Sequence, residues 1–205
     1  GLVYAYDGIV TKVEGVNGII KNDIEDGKVA LVVGGGSGHE PIYHGLLGPN
    51  MADAAAIGNI FASPNPEIIY KTAKAAHRGK GILFLYGNYA GDNMNFDIAA
   101  EMLEEEGIDV MTLRIHDDVA TQVKEDRRGI AGLLFCVKIA GGVCAAAKSL
   151  QEAYDVTAKA VERTRSIGVA LQAGVMLNTQ QPTFTLGDDE IEIGMGIHGE
   201  PGVER

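Results

Sequence analysis

The stretch Val29-Ala30-Leu31-Val32-Val33-Gly34-Gly35-Gly36-Ser37-Gly38-His39-Glu40-Pro41 joins an unbroken apolar run to a cluster of glycines and a His-Glu pair. An apolar run of this length, rich in β-branched residues, reads as a strand buried on both faces. In an open α/β sheet, ligands bind at the carboxyl ends of such strands. Glycines there let backbone N–H groups approach a ligand closely and form a nest for oxygen atoms. A dinucleotide fingerprint needs a third glycine where His39 stands, and a Walker loop needs Gly-Lys-Ser/Thr after four spacers, which occurs nowhere in the chain. The loop therefore suits a small oxygenated ligand better than a nucleotide; the competing reading is a glycine-rich turn that binds nothing.

Outward from this stretch the pattern repeats. Ile82 to Tyr86 is a second apolar run, ending in Gly87-Asn88, and Val110 to Ile115 is a third, ending in His116-Asp117-Asp118. Helical patterns lie between them. Asn65-Pro66-Glu67 offers an N-cap, a proline at the first helical position and an acid in the first turn. Phe96, Ile98, Ala99, Met102 and Leu103 keep helical spacing up to Gly107. Ala131 to Leu150, poor in charge, reads as a buried helix, and Gln151 to Arg163 as an amphipathic one. Strand alternating with helix gives an α/β fold: a mixed, mostly parallel sheet with helices on both faces. After Arg165 the texture changes. Ile167 to Ala170 is apolar, and Thr183 to Ile197 alternates, with Ile191, Ile193, Met195 and Ile197 on one side, as an antiparallel strand does. The expected organisation is a first α/β domain over 1–164 and the opening strands of a second α/β domain over 165–205, in a chain that reads as a piece of a longer one.

Composition narrows the function classes. The 205 residues are 46% hydrophobic, enough for a sizeable core. Acids outnumber bases 28 to 17, and the net charge of −11 opposes nucleic-acid binding and adsorption to an anionic membrane. Cys136 and Cys144 match no zinc spacing and read as small core residues in a reducing compartment. The start Gly1-Leu2-Val3-Tyr4 has no basic leader and Asp7 follows soon after, so the expected location is cytoplasmic.

Two further motifs carry chemistry-bearing residues. Gly87-Asn88-Tyr89-Ala90-Gly91-Asp92-Asn93-Met94-Asn95-Phe96 follows the second strand and opens a helix, on the same sheet edge as the first loop. Asp92 there is either a helix cap or a carboxylate base facing the cleft. Gly196-Ile197-His198-Gly199-Glu200-Pro201-Gly202 places a histidine between glycines at a strand end. A zinc deaminase pattern would need Pro-Cys-x-x-Cys downstream, which is missing, so no metal is expected. A neutral imidazole can be a nucleophile or a proton shuttle; the competing reading is a hydrogen-bonded structural histidine. His116 is a minor candidate beside the expected cleft, His44 and His77 read as structural or solvated, and Glu104-Glu105-Glu106 as a solvated helix end.

The three motifs, in this order and with these gaps, resemble the dihydroxyacetone kinase family, in its substrate-binding DhaK subunit or domain. Phe61-Ala62-Ser63-Pro64, Arg127-Arg128-Gly129-Ile130-Ala131 and Pro182-Thr183-Phe184-Thr185-Leu186 fit as well. The resemblance implies that the histidine at His198 binds a short ketose covalently as a hemiaminal. It implies that His39 hydrogen-bonds the substrate, that the backbone at Gly36, Ser37 and Gly38 contacts its hydroxyls, and that Asp92 takes the proton from the hydroxyl to be phosphorylated. It implies a nucleotide, ADP or ATP with magnesium, on a separate DhaL-type subunit or domain, and a homodimer. Familiar dihydroxyacetone kinases carry a lysine where Gly87 stands, and Gly-Asn-Tyr-Ala-Gly-Asp is more similar to the branch acting on four-carbon ketoses such as erythrulose. A ketose sensor or coactivator of the same family is the alternative.

Overall fold

The computed structural model describes residues 1–175, 180–182 and 184–205. Among the described residues, eight short to medium strands and five α-helices follow one another. They are α1 (Leu2–Ala5), β1 (Val10–Lys12), β2 (Gly18–Lys21), β3 (Ala30–Ser37), β4 (Ala54–Ile60), α2 (Pro66–Ala76), β5 (Ile82–Gly87), α3 (Ala90–Glu104), β6 (Val110–Ile115), α4 (Leu133–Ala146), α5 (Leu150–Arg163), β7 (Val169–Ala170) and β8 (Glu192–Ile193). The first six strands form one mixed sheet in the order β1-β2-β4-β3-β5-β6. β4, β3, β5 and β6 run parallel, and β2 and β1 add an antiparallel edge.

The connections explain where the helices lie. From β3 the chain steps one way to β4, then returns through α2, past β3, to β5 on its other side, and continues through α3 to β6. Right-handed crossovers moving in one direction deposit their helices on one face. α2 and α3 accordingly share a core with Ala30, Val32, Phe84, Tyr86 and Phe96. The oppositely directed β3–β4 link, with Tyr43 and Leu46, lies with α4 and α5 on the other face, around Leu31, Val33, Leu83 and Leu85. Burying a side chain such as Phe84 or Phe96 in this way contributes ~1.5–3 kcal/mol. The reversal of direction at β3 makes the gap between the ends of β3 and β5 a topological switch point, where open α/β sheets bind ligands.

Local chemistry fixes the elements. Asn65 caps α2 by accepting from the Ile68 N–H at 2.9 Å, with Pro66 at the first helical position. Ser149 caps α5 by accepting from Glu152 N–H. Asp53, fully buried, accepts from Lys28 Nζ at 2.7 Å, from Lys21 Nζ at 2.8 Å and from the Leu31 N–H at 2.8 Å, tying β2, β3 and the start of β4 together. Asp117, also buried, accepts from the N–H groups of Ile130 and Gly132 at 2.9 and 2.8 Å, which pins the segment leading into α4. Cys136 and Cys144 are buried free thiols; burial pushes Cys144 up to about 12.

Several expectations are corrected. The buried helix expected over Ala131 to Leu150 is confined to Leu133–Ala146, and its outer side leaves Leu134, Phe135 and Ile139 exposed. The long alternating strand expected over Thr183 to Ile197 shortens to Glu192–Ile193, paired antiparallel with Val169–Ala170; Thr183 itself lies outside the described residues. Gly194, at positive φ, and the turns around it end that strand. Glu106 is not merely solvated: it bonds Lys74 Nζ at 2.5 Å and accepts from the Tyr70 hydroxyl, linking α3 to α2. β1, β2 and the alanine-rich β4 are additions to the sequence reading. Among the described residues no helix is long and apolar enough to cross a membrane.

Candidate active site

The loop after β3 is shaped by what its glycines lack. A Cβ on Gly35 would sit 2.3 Å from the Tyr43 ring, and one on Gly36 2.8 Å from the Ala62 nitrogen. Gly38 has φ +100°, a conformation L side chains rarely adopt, and a Cβ there would meet the Phe61 ring at 2.6 Å. The chain thus folds tightly onto Tyr43, Phe61 and Ala62 and delivers His39 at the sheet edge. Ser37 donates its hydroxyl to the Gly58 carbonyl at 2.7 Å, and Glu40 accepts from the Gly38 N–H. The Ser37 hydroxyl thereby uses its proton within the fold and keeps only acceptor capacity.

His198, 159 positions further along, reaches the same place. Its Nε2 lies 2.9 Å from Nε2 of His39. One of these nitrogens carries a proton and the other offers its lone pair. His39 is held below the usual histidine range, first by burial and then by the neighbouring His198. Aromatic rings flank the exposed His198: Tyr89 packs edge-on at 5.0 Å between centroids and Phe61 at 5.9 Å, while Phe61 also flanks His39 at 5.0 Å. The Tyr89 hydroxyl donates to the Gly129 carbonyl at 2.9 Å, which keeps the ring in place.

Asp92 lies in the first turn of α3, whose N-cap is Tyr89. It is not the cap. Its side chain is buried, with Oδ1 lacking a hydrogen-bond partner. A carboxylate near a helix N-terminus gains ~0.3–1 kcal/mol from the dipole, which lowers its pKa. Burial outweighs that here and pushes Asp92 up to about 6, although the Ser63 hydroxyl and His198 pull the other way. A carboxyl poised there is ionised at neutral pH yet more basic than an ordinary aspartate.

The structure thus brings His39, His198 and the glycine loop together and places a buried, unsatisfied Asp92 at the head of the helix that follows β5. It separates His116 from them: its Nδ1 bonds the Arg114 carbonyl oxygen and its Nε2 lies 3.3 Å from Glu162 on α5. His77 terminates α2 and His44 sits in a short 3-10 turn. Residues that the sequence reading did not single out complete the site. Glu200 faces His198, with Oε1 3.3 Å from Nδ1 and Oε2 accepting from the His198 N–H at 3.0 Å. Arg128 stands 3.8 Å behind Glu200 and is held by Asp118 at 2.7 Å. The signal for Glu200 was its position two residues after the histidine. Among the described residues no cluster of three or more His, Cys, Asp or Glu could hold a metal ion.

A family model for the Dak1 domain matches residues 1–205. The chain belongs to the Dak1 domain family. The PTS-dependent dihydroxyacetone kinase 1, dihydroxyacetone-binding subunit DhaK, of Listeria innocua is 43% identical over 208 residues, covering 100% of this chain and 63% of that protein. The L-erythrulose 1-kinase of Mycolicibacterium smegmatis is 42% identical over 207 residues, covering 99% of this chain and 36% of that protein. Among solved structures, the dihydroxyacetone kinase from C. freundii in complex with AMP-PNP and Mg2+ superposes with a TM-score of 0.89 at 34% identity, over 95% of this chain and 37% of that one. The dihydroxyacetone kinase operon co-activator Dha-DhaQ superposes with a TM-score of 0.91 at 31% identity, over 100% of this chain and 63% of that one. This Dak1 chain therefore spans less than two thirds of the length of these relatives.

Proposed function

We propose that this Dak1 chain is the ketose-binding part of a dihydroxyacetone-type kinase, a phosphotransferase with an alcohol acceptor. The observation that carries the reading is the pair of facing imidazole nitrogens, 2.9 Å apart, beside a loop whose glycines leave no side chain between the backbone and its neighbours. The Nε2 lone pair of His198 adds to the ketone carbon, and the carbonyl oxygen becomes a hydroxyl. A covalent bond of this kind selects a ketose and rejects glycerol, which has no carbonyl. The backbone at Gly36, Ser37 and Gly38 receives the substrate hydroxyls and His39 hydrogen-bonds the adduct. Asp92 accepts the proton of the terminal hydroxyl as that oxygen attacks a phosphorus atom in line.

Nucleotide and magnesium belong, on this reading, to a DhaL-type partner docked over the ketose, which fits the missing Walker and dinucleotide patterns of this chain. The substrate is dihydroxyacetone or erythrulose, since relatives named for each are about equally similar. The assembly is a cytoplasmic homodimer. Residues 1–164 and 165–205 are separate units, as supported by β7 and β8 pairing with each other rather than with the main sheet.

The likeness to a co-activator favours one other reading, a ketose sensor without turnover; Gly87 in place of the family lysine agrees with it, and the retained Asp92 does not. The test combines the chain with a DhaL-type partner and measures ketose binding and phosphorylation for wild type and His198→Ala. The kinase reading expects phosphorylation by wild type, and at least a hundredfold weaker ketose binding with no product from the variant. Equal binding by His198→Ala contradicts the covalent assignment, and binding without turnover in wild type identifies the sensor.

A further inference from the structure

Behind His198 lies a chain of charges that the ketose chemistry alone does not require. Glu200 addresses the histidine twice, through Nδ1 at 3.3 Å and through the backbone N–H at 3.0 Å. The far side of the same carboxylate faces Arg128 Nη1 at 3.8 Å. Arg128 is not free to wander: its guanidinium donates to Asp118 at 2.7 and 2.9 Å and to the Gly194 carbonyl at 2.9 Å. Asp118 is fully buried and is itself fixed by the Ala120 N–H at 3.0 Å. The arrangement depends on Gly196. A Cβ there would lie 1.9 Å from Glu200 Oε2 and 2.4 Å from Arg128 Nη1, so a side chain at this position displaces both charged groups. Backbone bonds close the turn, with Gly196 N–H donating to the Glu200 carbonyl at 2.9 Å and Gly199 N–H to the Gly196 carbonyl at 3.0 Å.

We infer that Glu200, set by Arg128 and by the space at Gly196, is a positioning residue that fixes His198 as the Nδ1–H tautomer and takes up that proton as the carbon–nitrogen bond forms. The inference rests on the ketose-binding reading and deepens it. A carboxylate only accepts hydrogen bonds, so the ring nitrogen facing it carries the proton. Nε2 then holds the lone pair, and His39 Nε2–H is the donor across the 2.9 Å contact. A ketone entering between the two rings meets a lone pair on one side and a donor for its oxygen on the other. In the net step the Nε2–carbon bond forms and the carbonyl π bond becomes C–OH. One proton moves from Nδ1 to the former carbonyl oxygen: Glu200 receives it at Nδ1, and solvent carries it round to the oxygen. The charge of Glu200 matters as well as its geometry, because positive charge develops on the ring while the bond forms and an anion at Nδ1 stabilises it.

The test labels histidine with 15N in wild type, Glu200→Gln and Gly196→Ala, and reads the tautomer of His198 in the ligand-free chain by NMR. Binding of dihydroxyacetone is measured on the same three proteins by calorimetry. Wild type is expected to show a protonated Nδ1 and a bare Nε2 at His198. Both variants are expected to show a tautomer mixture and a 10- to 100-fold weaker affinity, with the backbone spectrum otherwise unchanged. A wild-type His198 protonated at Nε2 overturns the inference without any variant. So does a Glu200→Gln chain that keeps the wild-type tautomer and binds within twofold. If wild type binds no ketose at all, the parent reading fails, while the tautomer measurement still decides the role of Glu200.

Discussion

Replacing Asp92 by asparagine separates stability from chemistry at this site. The carboxylate is buried with one oxygen unpartnered, and burial raises its pKa from the ordinary 3.8 to about 6. A rise of that size corresponds to ~3 kcal/mol by which the ionised form weakens the folded state. The sign follows from linkage. Below about pH 4 the group is protonated in both folded and unfolded chains and nothing is lost. Between about 4 and 6 the unfolded chain ionises first and the penalty grows, and above 6 it is fully present. Asparagine removes the charge but leaves a buried amide, whose unmet hydrogen bonds take back ~1 kcal/mol. Asp92→Asn is therefore expected to be more stable than wild type by ~2 kcal/mol at pH 7.5 in urea denaturation, with the gain vanishing toward pH 4. Phosphoryl transfer with a nucleotide-bearing partner is expected to fall ~10²–10⁴-fold, the usual contribution of a positioned base. The wild-type rate should fall on the acid side with an apparent pKa near 6. A variant less stable than wild type at pH 7.5, or a stability difference that ignores pH, refutes the account of Asp92 as a strained, buried base.

Two other substitutions probe the fold and the specificity of the loop. Asp53→Ala leaves the buried Lys28 and the partly buried Lys21 without a counter-charge, and is expected to lower unfolding free energy by ~3–5 kcal/mol in denaturant titration; a loss under 1 kcal/mol contradicts that reading. Gly87→Lys places a Cβ 3.1 Å from the Tyr89 ring, which itself packs on His198, and adds a donor on that side of the site. Phosphorylation rates on dihydroxyacetone and erythrulose are expected to shift several-fold toward dihydroxyacetone, and an unchanged ratio contradicts a role for position 87 in substrate choice.

What the sequence disclosed tracks the strength of its local signals. β3, β5 and β6 are unbroken runs of large apolar residues, and α2 announces itself with Asn65-Pro66-Glu67. β4 was invisible because Ala54-Ala55-Ala56-Ile57-Gly58 has no strand preference of its own; burial between β2 and β3 makes it a strand. β1 and β2 are three and four residues long and mix polar with apolar positions. Alternation at Ile191, Ile193, Met195 and Ile197 overstated a strand because pairing ends where Gly194 turns the chain. In the site, the loop glycines, His39, Asp92 and His198 were legible as motifs. The cap-or-base question at Asp92 was not, because only burial separates the two. Glu200 pairs with His198 within its own turn, two residues on, whereas Arg128 and Tyr89 gain their place from the return of the 196–200 turn against residues far away in the chain, which no local pattern records.

Every later step in the proposed mechanism depends on covalent attachment of the ketose to His198. Dihydroxyacetone labelled with 13C at its carbonyl, added to the chain with 15N-labelled histidine, gives the most direct measurement. The bound carbonyl resonance is expected to be replaced by that of a saturated carbon with a one-bond coupling to Nε2 of a single histidine, absent in His198→Ala. A bound ketose that keeps its carbonyl resonance, or a saturated carbon with no coupling to nitrogen, contradicts it.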